Sequence, residues 1–126
     1  MDYKSDELAS RWWNRLDTLK LPKFENNMPC SLSPYFRFYK YSPGQKFNMH
    51  KDGRQSFEGK MSYYTFMVYL NHDFMGGETS FKLGDISIKP QTGMALLFQH
   101  HLWHKGCEVR AGIKYVVRSD ILYRRA

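Results

Sequence analysis

The sequence predicts an all-β domain preceded by one helix. Three observations point there. Aromatic residues make up 17% of the chain, as nine Tyr, nine Phe and three Trp, and aromatic side chains favour strands. From Tyr35 onward, short apolar or alternating runs recur, each closed by a turn signal. Helical periodicity is confined to one stretch near the start.

That stretch is 5–20, SDELASRWWNRLDTLK. Ser5 is suited to cap it, and Asp6 and Glu7 suit the positive end of its dipole. Leu8, Trp12, Leu16 and Leu19 recur at helical spacing as one apolar stripe, which reads as core packing. Residues 21–34 hold Pro22, Pro29 and Pro34 and read as a loop. Eight strands follow, at 35–41, 46–50, 62–71, 78–82, 86–89, 94–99, 103–108 and 113–123. Between them lie Ser42-Pro43-Gly44, the polar stretch 51–61, Gly76-Gly77, Gly84-Asp85, Pro90 to Gly93, and Ala111-Gly112. Gly76-Gly77 reads as a plain turn that binds nothing. Eight closely spaced strands with these breaks suggest a sandwich, a barrel or a jelly roll.

The chain has 126 residues, which reads as a single domain over 1–126. Hydrophobic residues at 42% and charged residues at 25% exclude a disordered chain. No apolar run approaches the roughly 20 residues that span a bilayer, so no membrane role is expected. Met1 to Ser10 carry no apolar signal segment, and Cys30 and Cys107 read as free thiols. The expected location is the cytoplasm. The net charge of +7 points to an anionic partner: nucleic acid, an anionic surface or an anionic small molecule.

Chemistry concentrates around His50-Lys51-Asp52, where a strand runs into a polar loop. In extended chain, residues i and i+2 point the same way, so the His50 imidazole and the Asp52 carboxylate can converge. A third ligand must come from a spatial neighbour, and His104, late in the chain, is the candidate. His72, His100 and His101 compete for that place. Two histidines and one carboxylate form the facial triad of non-heme Fe(II) oxygenases, with positions left open for co-substrate and O2. A hydrogen-bonded pair at a strand end would give the same His-x-Asp. Lys114 lies ten residues after His104. There an ammonium can neutralise the far carboxylate of a chelating 2-oxo acid. Along 113–121, Lys114, Val116, Arg118 and Asp120 alternate with Ile113, Tyr115, Val117 and Ile121, so Lys114 and Arg118 share one face.

Three motifs, in order, resemble the prolyl 4-hydroxylase type of Fe(II)/2-oxoglutarate dioxygenase. The first is YSPGQKFNMHKD, 41–52, a Tyr-x-x-Gly followed by His-x-Asp. The second is YTFMVYLNHDFMGGETSF, 64–81, a Thr-bearing strand followed by Gly-Gly-Glu-Thr-x-Phe. The third is IKPQTGMALLFQHHLWHKGCEVRAGIKYVVR, 88–118, a Pro-x-x-Gly-x-Ala-Leu-Leu-Phe, then His, then Gly-x-Lys. The similarity covers about two thirds of the chain, 41–123.

The resemblance implies a double-stranded β-helix, a squashed jelly-roll barrel related to cupins. It implies Fe(II) on His50, Asp52 and His104, with 2-oxoglutarate, O2 and ascorbate as reaction partners. Lys114 matches the residue that binds the distal carboxylate of 2-oxoglutarate. Tyr41 matches a tyrosine that hydrogen-bonds the same co-substrate, and Thr65 a threonine of that pocket. Arg118 is not carried over from the resemblance; because it shares a face with Lys114 it is placed on the co-substrate side, with substrate and Asp120 as its other open partners. Trp103 is expected either to shape the pocket or to pack at its rim. Residues 53–61 read as a lid over the iron or a plain surface loop. Only one helix precedes the barrel, where longer relatives carry more flanking elements, so the chain reads as a minimal enzyme or a fragment of one.

The implied activity is hydroxylation of an unactivated C–H bond, on a peptidyl proline, another protein side chain or a small molecule, with release of succinate and CO2. Two rivals stand beside it. A nucleic-acid demethylase of the same superfamily would suit the basic charge, because 105–126 hold six cations and two anions. Those relatives, however, usually hold 2-oxoglutarate with arginine. A non-catalytic, cupin-like metal-binding module would suit the fold alone.

Overall fold

The computed structural model describes residues 1–126. Strand β1 (Asp2–Lys4) leads into helix α1 (Asp6–Leu16), which closes in a 3-10 turn over Asp17–Leu19. Then come β2 (Asn27–Leu32), β3 (Tyr35–Tyr41), β4 (Phe47–His50), β5 (Ser56–Phe57), β6 (Lys60–Tyr69), β7 (Met75–Gly76) and β8 (Thr79–Phe81). The chain finishes with β9 (Ile86–Ile88), β10 (Ala95–Gln99), β11 (His104–Gly106), β12 (Val109–Ala111) and β13 (Lys114–Arg125). Every pairing is antiparallel.

The larger sheet runs β1-β3-β13-β6-β10, with β2 paired to the far half of β13 and β5 to β6. A smaller sheet runs β4-β11-β8-β9, and β12 pairs with β7 at the rim. The two sheets form a jelly-roll double-stranded β-helix, with α1 against the outside of the larger one. This is the fold the three motifs imply.

α1 forms over the first three residues of its stripe, while Leu19 falls in the 3-10 turn and is exposed. The Ser5 hydroxyl accepts the Leu8 N–H at 3.0 Å and caps it. The helix stops at Leu16 rather than Lys20, which adopts a left-handed conformation (φ 51°) that no helix continues. The apolar core is the layer between helix and sheet. Ala9 and Leu16 meet Leu32, Phe36, Phe66, Val68, Val117, Ile121 and Tyr123. Trp12 packs edge-on to Phe36, with ring centroids 5.7 Å apart. These residues occupy alternate positions of β3, β6 and β13, which leaves the other face of each strand for the barrel interior.

Several boundaries differ from the sequence reading. Residues 21–34 are not all loop, because β2 pairs with β13. It is an edge strand, and Pro29 sits beside a register shift opposite Leu122 and Tyr123, where a strand tolerates a missing N–H. β1 escapes the pattern because it is three exposed residues at a sheet edge. The run 103–108 holds only β11, and a further strand the pattern did not show, β12, follows it in a different sheet. Gly76-Gly77 is more than a turn: Gly76 lies in β7, and a Cβ there would come within 2.3 Å of the Glu108 carbonyl.

Candidate active site

The triad is assembled by one strand pairing. His50 ends β4, His104 begins β11, and the two face each other in register. Asp52 lies two residues beyond β4, its N–H donating to the His100 carbonyl at 3.0 Å. One ligand atom from each of His50, Asp52 and His104 falls within 4.8 Å of the others. His50 Nε2 is 3.3 Å from Asp52 Oδ1, and His104 Nε2 is 3.5 Å from Oδ2.

Backbone carbonyls aim both imidazoles. His50 Nδ1 is 2.6 Å from the Asn48 carbonyl, and His104 Nδ1 is 2.9 Å from that of Leu102. Each Nδ1–H donates outward, so each Nε2 lone pair is free for a metal. Burial lowers the His104 pKa and favours the neutral ring that ligation needs. Phe47 and Phe98 pack on the imidazoles, at 4.2 Å from His50 and 4.6 Å from His104 between ring centroids. The donor set and its apolar wall fit Fe(II).

The Asp52 carboxylate is 2% exposed and held on both oxygens. Thr65 Oγ1 donates to Oδ2 at 2.6 Å, and Arg118 Nη1 donates to Oδ1 at 3.2 Å. Arg118 also reaches Asp120 Oδ1 at 3.4 Å, where burial raises the carboxyl pKa against the pull of that guanidinium.

A half-open cavity runs from the triad into the barrel. Its lining includes Tyr41, Thr65, Thr79, Lys114, Val116 and Arg118. Lys114 opens β13 opposite Tyr41 of β3 and is buried. Its ammonium donates to the Gly77 carbonyl at 2.8 Å, and no ion pair includes it. The rings of Tyr41 and Tyr69 lie 5.1 and 5.7 Å from the nitrogen. Burial pulls Lys114 from the ordinary 10.5 down to about 8 and pushes Tyr41 and Tyr69 up to about 12. An unpaired buried cation is costly, so this end of the cavity favours an anion. Gly77 is required for the approach: with φ +69°, a Cβ there would sit 3.1 Å from the Lys114 side chain and 2.8 Å from Phe74.

All seven candidates, His50, Asp52, His104, Lys114, Tyr41, Thr65 and Arg118, line this one cavity. Trp103 does not: it is 44% exposed, outside the barrel, with the Lys51 ammonium 5.1 Å from its ring centroid. Part of 53–61 is a tight hairpin, since Ser56-Phe57 pair with Met61 and Lys60. Gly53, Gln55, Ser56 and Phe57 border a second, outer groove that also touches His50 and Asp52. Sequence reasoning weighed His100 only as a rival ligand, and it missed Ser62, buried with His100 behind Asp52, and the Gly77 carbonyl. A signal for His100 existed: it has the parity of the inward-facing Phe98, two residues earlier.

A jelly roll carrying two histidines and an aspartate at its mouth defines a mononuclear metal barrel of the non-heme oxygenase type. The chain belongs to the 2OG-Fe(II) oxygenase superfamily, whose profile matches residues 36–119. A protein of Acanthamoeba polyphaga mimivirus, provisionally named prolyl 4-hydroxylase, is 28% identical over 129 residues, covering 83% of this chain and 53% of its own. The chain therefore spans about half the length of that curated relative.

Solved structures share the fold. The viral collagen prolyl hydroxylase of Paramecium bursaria Chlorella virus-1, in its 2OG complex, superposes with a TM-score of 0.65 at 23% identity, covering 91% of this chain and 68% of that one. A Trichoplax adhaerens prolyl hydroxylase, in complex with a hypoxia inducible factor oxygen degradation domain peptide, gives 0.65 at 18% identity, covering 89% and 54%.

Proposed function

We propose that this chain is a Fe(II)- and 2-oxoglutarate-dependent dioxygenase that hydroxylates an unactivated C–H bond, on a peptidyl proline or another protein side chain. The observation that carries the reading is Lys114: a buried ammonium with no ion-pair partner, in the same cavity that His50, Asp52 and His104 line. A dianion that chelates metal at one end and meets a cation at the other answers both features.

With Fe(II) and 2-oxoglutarate bound, the site supplies an oxidant drawn from O2, with succinate and CO2 as by-products. His50, Asp52 and His104 hold the metal and leave its other positions open. Lys114 binds the far carboxylate by a charge-assisted hydrogen bond, and the Tyr41 hydroxyl adds a second donor. Thr65 lines the same cavity, and Arg118 offers a guanidinium near its metal end. Phe98, buried beside His104, screens that side of the reacting centre from water. The family membership and the names of the relatives favour a protein substrate, reached through the outer groove, with small molecules as the second class. Ascorbate, as the reductant that maintains Fe(II), belongs to the same reading, as does 1–126 acting as one domain. The free thiols Cys30 and Cys107 suit the cytoplasm, and no helix is long and apolar enough to cross a membrane.

Anaerobic addition of Fe(II) and 2-oxoglutarate should develop the weak visible charge-transfer band of a chelated 2-oxo acid. Asp52→Ala should abolish that band and lower succinate formation more than about 100-fold. Persistence of both in the variant would sink the assignment. With proline-containing peptides, free amino acids and oligonucleotides offered in turn, the peptides should stimulate succinate formation most.

A further inference from the structure

Behind Asp52 lies a chain of buried polar groups, of which only Thr65 lines the cavity. It starts at the Gln55 backbone N–H, which donates to Ser62 Oγ at 2.8 Å. Ser62 Oγ is 2.8 Å from His100 Nε2. His100 Nδ1 is 2.9 Å from Thr65 Oγ1, and Thr65 donates to Asp52 Oδ2 at 2.6 Å. Ser62, Thr65 and His100 are all buried, at 0%, 1% and 4% exposure.

The direction of every bond follows from counting hydrogens. Thr65 has one hydroxyl hydrogen, and the acceptor-only carboxylate takes it. Thr65 Oγ1 must then accept from His100, so the His100 proton sits on Nδ1. His100 Nε2 is left as an acceptor. It receives the Ser62 hydroxyl hydrogen, which is free because Ser62 accepts from Gln55. Asp120 Oδ1 stands farther from Nε2, at 3.5 Å. All donors therefore run one way and end on Asp52, with Arg118 closing the other oxygen.

We propose that His100 is a positioning residue: through Thr65 it locks the Asp52 carboxylate in the rotamer that points at His50 and His104. This inference rests on the proposed metal site. A freely turning threonine would offer its hydrogen to other acceptors, and the carboxylate would lose its fixed direction. Groups that orient a ligating carboxylate typically govern metal affinity by 10–100-fold.

The two ring nitrogens can be tested separately. His100→Asn keeps a donor where Nδ1 stands and loses the reach to Ser62. His100→Gln keeps a group where Nε2 stands and loses donation to Thr65. The probe is Co(II) alone, titrated anaerobically by its visible ligand-field band, with the thermal midpoint of each metal-free variant measured alongside. Asn should leave the Co(II) dissociation constant within about threefold of the parent, and Gln should raise it 10–100-fold, with similar losses of thermal midpoint.

Thr65→Ser and Thr65→Val repeat the contrast where the His100 variants fold poorly: Ser should retain affinity and Val should lose it by the same factor. Equal affinities within both pairs, or losses that track the thermal midpoint, would overturn the positioning role while the metal site stands. A parent protein that binds no Co(II) at the triad would overturn both readings.

Discussion

The two faces of β13 and its neighbours make opposite use of the same backbone. Outward, Phe36, Phe66, Val68, Val117 and Ile121 meet the helix in a dry layer. Inward, Tyr41, Thr65, Lys114 and Arg118 line the cavity, and the buried polar groups include an ammonium without a counter-ion. The strand period of two keeps these worlds one residue apart. Stability is gathered on the outer face, which lets the inner face carry groups that weaken the fold. Every buried side-chain nitrogen and oxygen still has a hydrogen-bond partner, so the cost lies in charge burial, not in orphaned polar atoms.

Substitutions on the two faces should therefore separate stability from chemistry. The largest effect belongs outside. Phe36→Ala, at 1% exposure against Trp12, should cost about 3–5 kcal/mol in denaturant unfolding. The folded fraction should keep the parent's affinity for 2-oxoglutarate; a large loss of that affinity would mean that the faces are coupled.

Inside, Lys114→Met should do the reverse. Losing a hydrogen bond to a charged group, about 1.5–3 kcal/mol, corresponds to a dissociation constant for 2-oxoglutarate raised roughly 10–150-fold, measured by calorimetry. The thermal midpoint of the metal-free protein should rise, because the variant buries no unpaired charge. A fall in the midpoint would show that the Gly77 bond outweighs desolvation.

The mildest test is pH alone. Lys114 titrates near 8 in the fold against an ordinary 10.5. Only its protonated form attracts a dianion, so 2-oxoglutarate affinity should hold below pH 8 and fall by up to about tenfold per unit above it. Stability should move the other way. Between pH 8 and 10.5 the unfolded chain holds the proton that the folded one has released, so this group's contribution to unfolding free energy rises with pH. Affinity that stays flat to pH 9.5 would remove Lys114 from the co-substrate site.

The contrast between faces also explains what the sequence made legible. The alternation of 113–121 and the stripe of α1 are local patterns, and both faces of β13 follow from them. His50-x-Asp52 is legible for the same reason. His100 is not: beside His101 and His104 it looks like a third candidate ligand. Its distance from Ser62 and Thr65 depends on β10 pairing with β6, which aligns Phe98 with Thr65. β2 stayed hidden because an edge strand can carry Pro29, and the Gly77 carbonyl because a backbone acceptor has no residue signature. Long-range register, rather than composition, decides these features.

β13 also behaves as a ruler. Lys114 and Arg118 point the same way four residues apart, about 13 Å along an extended strand. That strand is paired on both edges over 116–118, so the interval is set by backbone geometry rather than by a loop that could adjust. Arg118 holds Asp52 at the metal end, so an acid bridging the metal and the ammonium meets a gauge referred to β13 at both ends. Under the proposed function, diacids one carbon shorter or longer than 2-oxoglutarate should be discriminated by length alone, with no side chain needed to recognise their middle.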